Sequence, residues 1–163
     1  MQLSSLFLAA TALLTKAAVA DYMLFPTNLD LQQYGPARID RSLLPGEYKP
    51  LAHVGFTLDP SKPVAEIPLD VEGDIKRGYL LRKAGPGKWA LLARNDRSIP
   101  PTNDDITKPF AVENDLFVYK GDFPAEWVTC GEGRDGLSDI RLYLVEEGQH
   151  VGCEPTGLGA VEL

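Results

Sequence analysis

The chain has 163 residues, with 44% hydrophobic and 24% charged side chains, and its formal net charge is -7. This apolar content excludes an intrinsically disordered protein, and the length suits one domain whose core needs no metal or cofactor to fold. The negative charge gives no general attraction to phosphate backbones or anionic lipids, so we expect no nucleic-acid or membrane partner.

Residues 1–20 have the features of a secretory signal peptide. An apolar stretch at residues 6–14 precedes Ala18 and Ala20, which supply the small side chains that signal peptidase requires. Lys16 interrupts a run that is already too short to span a bilayer. We therefore expect cleavage after Ala20 and a secreted, extracellular protein of residues 21–163. Loss of Lys16 with the leader leaves 15 basic and 23 acidic side chains, a net charge of -8.

Residues 21–50 form the next segment and contain Pro26, Pro36, Pro45 and Pro50. Proline interrupts regular pairing, so this segment is expected to be an extended Pro-rich arm or a loosely attached strand. The domain itself is expected to cover residues 51–163.

Residues 51–163 contain short apolar runs separated by turn residues, which is typical of an antiparallel sheet protein. The pattern predicts strands at 51–58 and 64–67, a hairpin at 78–93, a long loop at 94–109, a second hairpin at 110–119, a strand at 126–130, a glycine-rich loop at 131–136 and a strand at 140–145. In the last strand, Ile140, Leu142 and Leu144 alternate with Arg141 and Tyr143, which predicts one buried and one exposed face.

Cys130 and Cys153 are the only two cysteines. An even pair on an oxidising secretory route predicts a disulfide, here enclosing 22 residues, worth about 3 kcal/mol. Ionised, reactive thiols are the competing interpretation, which the absence of a neighbouring His or CxxC spacing disfavours. No mature segment has helical periodicity over three turns. The sequence therefore predicts an all-β, monomeric protein, a single antiparallel β-sandwich with a distorted β-barrel as the alternative.

Several short segments resemble the PhiA-like family of fungal secreted cell-wall proteins over roughly residues 50 to 163. The residues that carry the resemblance are Phe110, Val112, Asn114, Leu116, Tyr119 and Gly121, then Cys130, Leu142, Tyr143, Leu144 and Cys153, together with Phe56, Thr57, Leu58, Ser61, Pro63 and Val64 and the hairpin at 78–93 ending near Asp96, Arg97 and Ser98. The resemblance implies a small, strand-rich secreted domain, associated with the hyphal or conidial wall and without enzymatic activity.

No catalytic motif is present. The serines of the mature chain lie outside any nucleophile-elbow pattern, and His53 and His150 form no motif. We expect His53 to be a half-buried strand residue and His150 to be exposed. Glu126 beside Trp127 is the most suggestive candidate among many acids for a general acid, because an aromatic neighbour can raise a carboxyl pKa, although an outward-facing acid on a sheet is the preferred interpretation.

No metal or cofactor site is predicted either. Asp70, Glu72 and Asp74 would share one face of an extended segment and could attract calcium, but a solvated turn is preferred because the EF-hand order is missing.

The charge distribution is uneven, because residues 75–97 hold seven basic side chains and one acidic one. This basic hairpin is a candidate binding patch for an anionic polymer or an acidic partner surface, and the alternative is that its cations pair with acidic strands of the same domain. Its aromatic residues could stack on sugars or belong to the core. The candidate residues are Lys76, Arg77, Tyr79, Arg82, Lys83, Lys88, Trp89, Arg94 and Arg97.

Three functions are compatible with these features. The first is a secreted, non-enzymatic β-domain associated with the fungal cell wall or extracellular matrix, with wall polysaccharide among its possible ligands. The second is a secreted effector-type protein that binds a host or competitor molecule. The third is a small carbohydrate-active enzyme that uses Glu126 or another acid.

Overall fold

A computed structural model describes residues 20–29, 38–40, 51–56, 66–69, 75, 78–94, 100–134 and 137–163. Within this part of the chain, every regular element is a β-strand. The strands are β1 (Ala20–Pro26), β2 (Arg38–Asp40), β3 (Leu51–Phe56), β4 (Glu66–Leu69), β5 (Tyr79–Gly85), β6 (Lys88–Arg94), β7 (Phe110–Glu113), β8 (Leu116–Tyr119), β9 (Ala125–Arg134), β10 (Leu137–Glu146), β11 (Glu154–Thr156) and β12 (Leu158–Glu162).

The strands form two antiparallel sheets. The five-stranded sheet has the order β4-β1-β12-β8-β7, and the seven-stranded sheet has the order β11-β9-β10-β3-β6-β5 with β2 beside β3. β10 pairs with β3 near Ile140 and with β6 from Tyr143 to Val145. The sheets pack against each other without closing, so the predicted all-β sandwich is confirmed in place of a barrel.

The main core lies between the sheets and is rich in aromatic rings. Phe110 and Phe117 of the five-stranded sheet stack with centroids 4.8 Å apart, and Trp127 of the other sheet lies 5.8 Å from Phe117. The indole Nε1 of Trp127 donates a 2.8 Å hydrogen bond to the Phe117 carbonyl. This bond satisfies the buried polar atom of the indole and joins the two sheets.

A second apolar cluster lies on the opposite face of the seven-stranded sheet. It contains Leu80, Ala90, Leu92, Val128, Cys130, Tyr143 and Val145. The prediction of an exposed face on β10 is therefore wrong, because Tyr143 is 2% and Arg141 9% exposed. β10 lies inside its sheet with both faces covered, and such strands do not alternate cleanly between apolar and polar residues.

The first strand is more central than the sequence indicates. β1 lies between β4 and β12, and Leu24 is fully buried in the core. The sequence predicts an arm or a loosely attached strand here because Pro26 and the later prolines dominate the segment. Pro26 is instead the last residue of a well-paired strand, at an end where proline is tolerated. Residues 1–19 of the predicted leader and most of residues 30–50 lie outside the described residues.

Both predicted hairpins are confirmed, as β5–β6 and β7–β8. The glycine-rich loop predicted at 131–136 is wrong in its first part, because β9 continues to Arg134 and pairs there with Leu137 of β10. Glycine has a low strand propensity, but the backbone ladder of a long hairpin extends through it.

The predicted disulfide between Cys130 and Cys153 is also confirmed. It joins β9 to the residue that precedes β11. β11 also pairs with β9, with Glu154 opposite Thr129. In the described residues, no helix has the length and apolar character that crossing a bilayer requires.

Candidate functional site

An open groove with a volume of about 520 Å³ lies where β8 turns into β9. Its lining comprises Tyr119, Lys120, Gly121, Asp122, Phe123, Pro124, Ala125, Glu126 and Glu147. The backbone N–H of Glu147 donates a 3.0 Å hydrogen bond to the Pro124 carbonyl, which fixes the end of β10 against the turn. We refer to this feature as the 119–126 groove.

The aromatic wall of the 119–126 groove is anchored to the core. Tyr119 and Phe123 have ring centroids 4.9 Å apart, and Phe123 stacks on buried Trp89 at 5.0 Å. The Tyr119 ring lies directly over Gly121, where a Cβ atom would come within 1.8 Å of the phenol oxygen. A side chain at this position would push the Tyr119 ring aside, and the groove is shaped before any ligand binds.

Burial raises the pKa of Tyr119 above its ordinary value of 10.0, and the backbone of Asp122 hydrogen-bonds the hydroxyl. The phenol is consequently neutral at physiological pH and keeps its proton.

The charge of the groove is negative. Asp122 and Glu147 are exposed, and Glu126 is partly exposed. The single cation in the lining, Lys120, has its Nζ 2.8 Å from the carboxylate of Glu113 on β7. Because this lysine already has an anionic partner, the three carboxylates dominate the local potential.

Glu126 is held in its ionised form. Its Oε1 accepts a 2.9 Å hydrogen bond from the backbone N–H of Gly148 and lies 2.8 Å from Nδ1 of His150. These contacts, the Gly148 bond first, lower the pKa of Glu126 below its ordinary value of 4.5. A carboxyl group with a lowered pKa is a hydrogen-bond acceptor at neutral pH and a poor proton donor.

The neighbouring Trp127 does not raise the pKa of Glu126, because consecutive strand residues point to opposite faces and the indole is in the core. The outward-facing interpretation of Glu126 agrees with the structure. The sequence also indicated an exposed His150, whose side chain is 40% exposed, but it gave no sign of the contact with Glu126. The two residues are 24 positions apart and meet because β9 and β10 are paired and the turn after β10 folds back.

The aromatic residues of the basic hairpin belong to the core. Tyr79 and Trp89 are both buried, and the indole Nε1 of Trp89 donates a 3.1 Å hydrogen bond to the Asp104 carbonyl. Neither ring face is presented for stacking on a sugar. Lys76, Arg77 and Arg97 lie outside the described residues.

The described cations of the hairpin have different surroundings. Arg82 makes two hydrogen bonds, of 3.2 and 3.0 Å, to Asp105, whose side chain is 1% exposed, so the pairing interpretation holds for this residue. Lys83 is exposed and Arg94 is partly buried. The Nζ of Lys88 lies 3.9 Å from the centroid of the Tyr143 ring, in a cation–π contact.

A second pocket, of about 470 Å³, opens beside the disulfide. It is lined by Pro86, Lys88, Val145, Gly148, Gln149, Val151 and Cys153. We refer to it as the disulfide pocket. Sequence reasoning missed both pockets. The disulfide pocket is assembled from segments that are distant in the chain, and the 119–126 groove depends on how one turn packs against Glu147 and the core.

Within the described residues, no group of three potential metal ligands is present. The Asp70, Glu72 and Asp74 cluster and the side chain of His53 lie outside the described part of the chain. Comparison of the chain with protein-family models, with characterised proteins and with solved structures gave no match. The resemblance to PhiA-like proteins therefore stays a prediction.

Proposed function

We propose that this chain is a secreted, non-enzymatic β-domain of the fungal cell wall or extracellular matrix, and that its 119–126 groove binds wall polysaccharide. The observation that supports the proposal most strongly is the groove itself, where an aromatic wall fixed to the core stands beside carboxylates. A disulfide-linked domain is compatible with an extracellular location, and wall association is what the resemblance to PhiA-like proteins implies.

The aromatic wall supplies an apolar surface for sugar rings. Tyr119 and Phe123 are partly exposed, and their positions are set by contacts with Gly121 and Trp89 rather than by a ligand. A rigid site loses little conformational entropy on binding, and this supports useful affinity in an open groove.

The carboxylates supply hydrogen-bond acceptors and a preference for positive charge. Asp122, Glu126 and Glu147 line the groove, and the nearby Lys120 is engaged by Glu113. A neutral glucan would meet acceptors for its hydroxyl groups, whereas a partly deacetylated amino-sugar polymer would also bring ammonium groups. We therefore propose that the groove prefers chitosan-type polymers to neutral ones.

The non-enzymatic part of the proposal rests on the state of Glu126. Glycoside hydrolysis needs one protonated and one ionised carboxyl group across the scissile bond. The contacts of Glu126 with Gly148 and His150 favour the ionised form, which argues against the general-acid role that Glu126 would have in an enzyme.

A sedimentation assay with insoluble polysaccharides tests the proposal. Purified mature protein, residues 21–163, is mixed with chitosan, chitin or β-glucan, and the pelleted fraction is measured. We expect binding to be strongest with chitosan. In the double variant Asp122→Asn/Glu147→Gln, the affinity should fall on the order of tenfold, because two exposed charges contribute up to about 1 kcal/mol each.

The matched control is Asp115→Asn/Glu162→Gln, which removes two exposed carboxylates outside the groove lining. Asp115 has a positive φ of 62°, which asparagine tolerates, so the turn should be retained. An equal loss of binding in both double variants would contradict a role for the groove. If all of the protein stays in the supernatant with every polymer, the proposed function is wrong.

A further inference from the structure

The Cys130–Cys153 disulfide lies beside a positively charged side chain. The Nζ of Lys88 is 3.6 Å from Sγ of Cys130 and 3.9 Å from Sγ of Cys153. Lys88 is held above the ring of Tyr143, which fixes the ammonium group near both sulfur atoms. A cation next to a sulfur stabilises the thiolate and makes that sulfur a better leaving group in thiol–disulfide exchange.

The two cysteines differ in their exposure. Cys130 is 6% exposed and belongs to the second apolar cluster. Cys153 is partly exposed and lines the disulfide pocket together with Lys88. The side of Cys153, through the disulfide pocket, is therefore the route that the structure offers to an external thiolate, while Cys130 is shielded by its strand and its neighbours.

We propose that Cys153 is a site of reversible modification by external thiols of the glutathione class, with Lys88 as a positioning residue for the exchange. The incoming thiolate attacks Sγ of Cys153, the bond between the two cysteine sulfurs breaks, and a mixed disulfide forms on Cys153. The electron pair of the broken bond leaves on Sγ of Cys130, whose negative charge faces Lys88. The reverse attack by Cys130 expels the external thiolate and restores the original disulfide.

Some of the other groups near Cys130 favour its thiolate form and others oppose it. Its burial opposes a thiolate, since desolvation disfavours the charged form. Arg141 lies directly opposite Cys130 in the β9–β10 register and adds positive charge on the same face. Glu126 also points to this face of β9, but its Oε1 is engaged by Gly148 and His150. The Lys88 ammonium lies within 4 Å of both sulfurs and favours the thiolate.

The fold is expected to survive the exchange, because the segment around Cys153 is also held by non-covalent bonds. Glu126 binds Gly148 and His150, and the backbone N–H of Cys153 donates to the His150 carbonyl at 2.9 Å. β11 remains paired with β9 from Glu154 to Thr156. A modified chain should therefore stay folded and return to its original state when the thiol is removed.

The test uses the folded mature protein with its disulfide intact. The protein is incubated with reduced glutathione, the reaction is stopped with denaturant and an excess of alkylating reagent so that every new thiol is labelled, and peptide mass spectrometry locates the adduct. We expect glutathione on Cys153 and alkylation on Cys130. Lys88→Met keeps the side-chain length but removes the charge, and it should slow the exchange about five- to tenfold.

The matched control is Lys83→Met, which removes an exposed lysine from the same hairpin. The proposal is overturned if wild type forms no mixed disulfide, if the adduct lies on Cys130, or if Lys88→Met and Lys83→Met exchange at the same rate.

A second readout separates the effect of the Lys88 charge from that of its packing. In Cys153→Ser, the pH dependence of the ultraviolet absorbance of the Cys130 thiolate should give a thiol pKa below about 8.5, which Lys88→Met should raise. A pKa above that value, unaffected by Lys88→Met, would also overturn it.

Discussion

Replacement of Gly121 by alanine tests whether the Tyr119 ring shapes the 119–126 groove. The new Cβ would lie 1.8 Å from the phenol oxygen and 2.0 Å from the ring carbon that carries it. Carbon atoms in contact are normally about 3.5–4.0 Å apart, so the ring would have to move by at least about 1.5 Å. Because the ring is rigid, this movement displaces the aromatic wall as a whole.

The expected cost follows from the contacts that Tyr119 would lose. Its ring centroid lies 5.5 Å from that of Phe110 and 4.9 Å from that of Phe123. Each aromatic pair contributes about 0.5–1.5 kcal/mol, so Gly121→Ala should lower the free energy of unfolding by about 1–3 kcal/mol. Urea unfolding followed by circular dichroism measures this change, and the sedimentation assay should show weaker binding to chitosan.

Gly131→Ala is the control, since a Cβ at that exposed strand position would have nothing within 4 Å. Its stability should stay within about 0.5 kcal/mol of wild type. The same Gly121→Ala change is also made in a Tyr119→Ala background, where the collision cannot occur and the penalty should largely disappear. A Gly121→Ala variant as stable as wild type, or an equal penalty in both backgrounds, would refute the reasoning.

Three further predictions concern the framework around the groove. Replacement of both Cys130 and Cys153 by serine should lower the free energy of unfolding by about 3 kcal/mol in urea, because the bridge spans 23 positions; an unchanged midpoint would contradict this. Phe117→Ala should cost about 3–5 kcal/mol, since the ring is fully buried between the sheets, and a loss below 1 kcal/mol would show that the core packs differently. Because the pKa of Glu126 is lowered in the folded protein, its ionised form stabilises the fold at pH values above the ordinary pKa of 4.5. This contribution is lost as the pH falls through the folded-state pKa. Wild type should therefore exceed Glu126→Gln in stability at about pH 6 and lose that advantage as the pH falls below 4.5 and through the folded-state pKa, whereas a difference independent of pH would count against the Gly148 and His150 contacts.

The sequence predicted those elements whose signals are local. The turns at 84–87 and 113–115 lie between short apolar runs, and both hairpins form around them. The disulfide followed from an even number of cysteines and the expected secretion route. These features depend on neighbouring residues or on composition, which can be deduced without knowing how distant segments pair.

The groove and the sheet order could not be predicted in the same way. β1 finds its partners β4 and β12 far along the chain, and no local pattern specifies that pairing. Glu126 and His150 meet only through the register of β9 with β10. The burial of Tyr143 was missed because alternation distinguishes two faces but cannot show whether the second face is covered.

An NMR titration of the mature domain with a soluble chitosan oligosaccharide is the decisive test of polysaccharide binding in the 119–126 groove. Backbone amide shifts report which surface meets the ligand under native conditions. We expect saturable changes confined to residues 119–126 and Glu147, reduced in Asp122→Asn/Glu147→Gln. Saturable changes centred instead on Tyr79–Arg94, or no change at ligand concentrations well above those that give sedimentation, would contradict this expectation.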